Sequence, residues 1–394
     1  MGHLRFKRAL VALAGAAALG ATAVACEPPA DFYNPPASLP ANNGDVIASV
    51  ETNFGLNGNV TSKAIKYRST TATGQATYMT GTLLVPKAAW TGGGPRPIVG
   101  FAPGTQGLGD ACAPSKSMAN NLYYESGNVQ ALLDKGWAAA VVDYEKLGTP
   151  GDHTYVVKDA EAHALLDLVR ASQRLPGSGV ASNAPVAFWG YSQGGQSAAA
   201  AAELESTYAP ELNVVGVAAG GIPADLGVVA QHLNTDGNFW FTFLAMAAVG
   251  LDSAYPELDL ESYLNQAGRD LLAQGRNACL ADGLFLGSGK HIEDLTTTNP
   301  LATPAWQARI NQQKLGNVGP KVPVLAYHGT LDEIIPYTQA TALRDAWCAK
   351  GTKVKWVDFV FNDHILGEFT ATTEVTTWLT ARFTGQLPTP TCNP

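Results

Sequence analysis

Short apolar runs alternate along this chain with segments whose apolar residues recur at helical spacing. Residues 76–85 and 97–102 read as strands, and 137–144, with Ala-Ala-Ala-Val-Val inside it, as a buried one. Residues 157–174 then place Ala160, Ala164, Leu165, Leu168 and Val169 on one helical face. A strand is predicted at 185–190, a helix at 193–205 and a strand at 214–219. Two more strands, 322–328 and 354–361, flank a helix around 337–349. Strands alternating with helices imply right-handed crossovers and a mostly parallel sheet with helices on both faces.

Between residues 222 and 318 that rhythm stops, and amphipathic stretches at 238–250 and 258–273 take its place. A segment this long is no simple loop, so it reads as a helical insertion forming a cap or lid. The α/β core is then expected at 49–221 and 319–394. Residues 26–48, rich in Pro, Ala and Asn, form an extended lead-in along the surface. Residues 1–25 have the layout of a signal peptide. Arg5, Lys7 and Arg8 precede an apolar stretch, and Ala23-Val24-Ala25 leads to Cys26. Secretion follows, with lipid anchoring to the cell envelope through Cys26 as the alternative. For that alternative Ala23 is a departure, since Leu is usual three residues before an acylated cysteine.

A 46% hydrophobic, 15% charged composition suits a well-buried globular protein. The net charge of −8 and the lack of clustered Lys and Arg exclude nucleic acid as a partner. The five cysteines fit an oxidising compartment. Cys112, Cys279, Cys348 and Cys392 can form two disulfides in any of three connectivities, leaving Cys26 odd. With no metal-ligand cluster or phosphate-binding loop in view, no cofactor and no metal are expected.

The strongest local signal is Gly190-Tyr191-Ser192-Gln193-Gly194, a G-x-S-x-G sequence. A buried strand, residues 186–189, precedes it, and an Ala-rich helix follows. That is the strand–turn–helix context of the nucleophile elbow of the α/β-hydrolase fold, with Ser192 at its apex. A serine needs a base, and in this fold acid and histidine follow it in that order. Four histidines follow Ser192. His232 and His291 fall in the insertion, and His328 has no acid before it except those in the insertion. His364, after the last strand, is left as the base. Asp332 and Glu333 both follow the penultimate strand, and spacing does not choose between them. Whichever is not the acid should face solvent, and Asp363 is too close to His364 to orient its ring. The N–H of Gln193 is expected to stabilise an oxyanion, with a second donor from residues 101–107, Thr105 ahead of Gly104.

Further motifs carry a resemblance. They are Asp31-Phe32-Tyr33-x-Pro35-Pro36, Gly104-Thr105-Gln106-Gly107, Asp110-x-Cys112-Ala113-Pro114-Ser115, Asp143-Tyr144-Glu145-x-Leu147-Gly148 and Gly329-Thr330-x-Asp332-Glu333. Together with the elbow they make the chain resemble the secretory lipases of the lipase A type, known from fungi and actinomycetes. The resemblance implies hydrolysis of acylglycerols or related lipid esters through an acyl-enzyme, possible contact with a lipid–water interface, and no stable protein partner. It ranks Asp332 over Glu333, pairs Cys112 with Cys279 and Cys348 with Cys392, and makes Asp143 structural. The chain departs from the fungal members at Pro103-Gly104-Thr105, where they carry an acidic residue. Two rivals remain: a carboxylesterase for short-chain or polymeric esters, and a non-catalytic lipid-binding envelope protein. The aromatic stretch 239–246 reads equally as acyl-chain wall and as core.

Overall fold

The computed structural model describes residues 27–55 and 58–392, so the expectations for the signal peptide and Cys26 lie outside it. Nine strands form one sheet: β1 (Val46–Thr52), β2 (Val60–Thr70), β3 (Ala76–Pro86), β4 (Ile98–Ala102), β5 (Ala138–Val142), β6 (Val186–Tyr191), β7 (Val214–Gly220), β8 (Val324–Gly329) and β9 (Val354–Phe359). Their spatial order is β1-β2-β3-β5-β4-β6-β7-β8-β9. From β5 to β9 every neighbouring pair is parallel, while β1, β2 and β3 join as an antiparallel meander.

Alternation along the central strands sorts side chains between two cores. Ile98 and Phe188 point to the face covered by helices Lys158–Arg174, Gln193–Tyr208 and Tyr337–Ala349. Val99, Ala187 and Trp189 point to the opposite face, under Ser126–Asp134 and Thr372–Phe383. The expected mostly parallel α/β sheet, covered on both sides, is present.

β1 and β2 were not anticipated. In β2 the polar residues Ser62, Lys66 and Ser69 are buried, which hides the strand from any reading by hydrophobicity. Lys66 Nζ donates to the Asn34 carbonyl and lies over the rings of Phe32 and Tyr78, and Ser69 Oγ donates to Asp167.

Between β7 and β8 the chain folds into a series of helices joined by turns, including Leu226–Leu233, Phe241–Ala254, Gln266–Gly275 and Pro304–Gln312. The stretch at 258–273 is not one helix. A 3-10 turn at Pro256–Leu258 and a short helix Leu260–Tyr263 come first, and Asn265 then starts Gln266–Gly275 by accepting from the Gly268 N–H. These helices build their own apolar core, which reaches the sheet domain through Tyr155, Val157, Ile334 and Ile335. Disulfides Cys112–Cys279 and Cys348–Cys392 form as the resemblance implied.

Candidate active site

At the end of β6 the chain turns into helix Gln193–Tyr208 through Ser192, whose φ is 58° and ψ −121°. A non-glycine residue holds this conformation only when its surroundings force it. The glycines around it let three backbones close in. A Cβ on Gly194 would lie 1.9 Å from the Ala102 carbonyl oxygen, and one on Gly195 2.2 Å from that of Gly220. The strain is thus fixed by the sheet itself, and it presents a half-buried Ser192 hydroxyl beyond the strand ends.

His364 opens the helix His364–Thr370 after β9. Its Nε2 lies 2.9 Å from Ser192 Oγ and its Nδ1 2.7 Å from Asp332 Oδ2. A carboxylate only accepts, so Nδ1 carries the proton and Nε2 faces the serine as acceptor. Tyr191, next to the serine, donates its hydroxyl to the His364 carbonyl at 2.8 Å and packs its ring against the imidazole. Asp363, excluded by spacing as the acid, instead caps this helix by accepting from the Leu366 N–H.

Asp332 is fixed from both sides. Oδ1 accepts the N–H groups of Ile334 (3.0 Å) and Ile335 (2.7 Å), while Oδ2 faces the imidazole. Burial pushes its carboxyl up, but the charge and hydrogen bond of His364, then His328 and the Ile335 N–H, outweigh this and hold it below the usual range. Fully buried His328 has its Nε2 2.9 Å from the Ile335 carbonyl and 3.2 Å from Asp332 Oδ2, so that nitrogen donates. Glu333 does not face solvent as its sequence position suggested. Its Oε2 accepts the His364 backbone N–H at 3.1 Å, because the turn that aims Asp332 at the ring aims its neighbour at the main chain.

Gln193 begins the helix after Ser192 and is buried, with its N–H at the helix start. In the facing loop the Gly104 N–H is taken by both oxygens of Glu125, at 3.1 Å each. The Gly104 N–H is thus occupied, and the neighbouring Thr105 hydroxyl is held 2.8 Å from that of Tyr155. Burial pushes the Glu125 carboxyl up, and buried Glu368, one turn beyond His364, is pushed up beside it. Asp143 is fully buried and accepts from Thr80 and from both the hydroxyl and N–H of Ser115, so it shapes its loop.

Two buried polar groups that sequence reasoning did not single out lie beneath Gln193: Glu161 and His153. A signal for Glu161 was there, since it shares the stripe of Ala164, Leu165 and Leu168, where an acid has no business facing water. Ser192 and Gln193 open onto an apolar cavity walled by Leu226, Val229, Leu244, Ala248 and Trp306 of the helical insertion. Stretch 239–246 is divided between the cavity wall and the core. Phe243 and Leu244 line the cavity, while Phe241 and Met246 belong to the core.

The chain matches the secretory lipase family over residues 113–390. It is 29% identical to a Mycobacterium tuberculosis protein named a probable inactive lipase, across 90% of this chain and 82% of that protein. It is 28% identical to a secreted triacylglycerol lipase of Malassezia globosa, across 92% and 80%. Candida antarctica lipase A in its closed state has the same fold, with a TM-score of 0.82 at 25% identity over 92% of this chain and 89% of that one. A match over most of the length, on a shared α/β-hydrolase fold, places this chain in the secretory lipase family.

Proposed function

We propose that this protein is a secreted lipase that cleaves acylglycerols or related lipid esters through an acyl-enzyme on Ser192. The observation that carries the reading is the continuous Ser192–His364–Asp332 hydrogen-bond chain at the mouth of an apolar cavity. His364 Nε2 takes the hydroxyl proton as Ser192 attacks the ester carbonyl, and then gives it to the leaving alcohol. Asp332 keeps the ring in the required tautomer and stabilises the imidazolium. The N–H groups of Gln193 and Thr105 receive the oxyanion, and water activated by His364 releases the fatty acid. Residues 222–318 act as a cap whose apolar wall takes the acyl chain out of water.

The name of the mycobacterial relative makes an inactive scaffold the rival reading. The close contacts at 2.9 and 2.7 Å favour an active enzyme here. A fluorophosphonate probe should label Ser192, and Ser192→Ala should abolish both labelling and ester hydrolysis. An unlabelled wild-type protein, or a Ser192→Ala variant that keeps its activity, would overturn the proposal. Rates over a series of esters from short to long acyl chains, with and without an emulsified interface, separate a lipase from a short-chain esterase.

A further inference from the structure

Glu161 lies fully buried on helix Lys158–Arg174, and one of its oxygens gathers two donors from different elements. Oε1 accepts the Val156 backbone N–H at 2.9 Å and the Gln193 side-chain amide at 2.9 Å. The same amide lies 2.9 Å from His153 Nε2. His153 Nδ1 is 2.9 Å from the Glu145 carbonyl, so Nδ1 carries the ring proton and Nε2 accepts from Gln193. The Gln193 amide therefore donates on both sides. Val156 has φ +53°, a left-handed conformation that a β-branched residue adopts only when it is held there. It also lines the cavity beside Ser192.

We infer that Glu161 is a positioning residue for the oxyanion hole, fixing Gln193 and the strained cavity wall at Val156 in one frame through a single carboxyl oxygen. This rests on the reading of Ser192 as the nucleophile. The second oxygen, Oε2, is buried without a hydrogen-bond partner among the described residues. Burial pushes the carboxyl up to about 8, despite the hydrogen bonds from Gln193 and Val156. The titratable groups facing it offer no positive charge. Burial pulls His153 down to about 4 and pushes Tyr144 and Tyr155 up. On its own helix, Lys158 is paired with Asp159 at 2.8 Å. Glu161 thus does its work as a neutral acceptor, for which a glutamine carbonyl is a close substitute. Once ionised, it sets a negative charge behind the N–H that must meet an oxyanion.

The test is steady-state kinetics on a short-chain ester from pH 6 to pH 10. Glu161→Ala should lower kcat by about tenfold or more while KM stays within about threefold, because the contact acts on the transition state. Glu161→Gln should restore kcat to within about threefold of wild type at pH 7 and remove the decline expected of wild type above about pH 8. Gln193→Met keeps the backbone N–H but removes the amide. Combined with Glu161→Ala it should cost no more than Glu161→Ala alone.

Three results overturn the inference: a Glu161→Ala enzyme with wild-type kcat, a Glu161→Gln enzyme as impaired as Glu161→Ala, or an unchanged alkaline decline in Glu161→Gln. If Glu161→Ala does not fold, the Glu161→Gln profile still decides. Failure of the probe to label wild-type Ser192 strikes the functional reading instead, so the two failures are distinguishable.

Discussion

Asp332 and Glu333 are adjacent acids that meet the same histidine at different atoms. Asp332 faces the ring nitrogen, and Glu333 the backbone N–H. Asp332→Asn keeps the shape but removes the charge and offers the wrong tautomer, so kcat should fall by about 10³–10⁴-fold. Glu333→Gln keeps an acceptor for the main chain, and its loss should stay within about tenfold. Kinetics on one ester substrate read both, and the reverse ranking would move the acid to Glu333. Spacing did not separate this pair, because the choice rests on the Ile334 and Ile335 N–H groups that turn Asp332 inward. Ser192 was legible because everything that makes an elbow lies within a few residues of it. Glu161 was passed over for the opposite reason. Its partners, Val156 and Gln193, meet only after a crossover, although its place on an apolar stripe marked it.

At the scale of elements, the parallel strands and their helices announced themselves through buried apolar runs, whereas β2 did not. Polar Ser62, Lys66 and Ser69 are buried among its apolar positions, and such groups find partners only in the folded chain, as Ser69 does on Asp167. The helical insertion was visible as a break in the strand–helix rhythm, though not its internal turns. What ties it to the site is covalent as well as apolar. Cys112–Cys279 joins the insertion to the segment after the Thr105 loop. Around it the Leu108 N–H donates to the Ala278 carbonyl and the Leu280 N–H to that of Gln106. Replacing Cys112 and Cys279 together by serine should cost roughly 2–5 kcal/mol in denaturant unfolding and lower kcat, because the loop carrying Thr105 loses its clamp. Replacing Cys348 and Cys392 should leave kcat nearly unchanged, since that bridge pins the C-terminal tail along β9, where the Thr391 N–H donates to the Val354 carbonyl. Equal loss of kcat in both pairs would separate the clamp from the chemistry.

Across the whole molecule, burial of polar groups sets how stability responds to pH. Burial pulls His153, His163 and His328 down, so the unfolded chain binds protons that the folded one refuses. Their cost appears as pH falls below about 6.5 and vanishes above it. Asp332 adds to this acid-side loss, since its lowered value means its contribution is present above about pH 4 and lost as pH falls through the folded value. Glu161 works in the other direction. Its folded carboxyl, pushed up to about 8, keeps a proton that the unfolded chain releases near the ordinary value, so stability falls as pH rises through that window and levels off above it. Glu368, pushed well up by burial and by Glu125, has the same sign. Between about pH 6.5 and 8 the histidine terms are complete and only the acids still act. The melting temperature should therefore peak near about pH 6 and drop by roughly 5 °C toward pH 8. Glu161→Gln should flatten that slope, because an amide has no proton to release. A wild-type melting temperature that climbs steadily from pH 6 to pH 8 would mean the carboxyl beneath Gln193 is already ionised in the fold. The alkaline loss of activity would then need another cause.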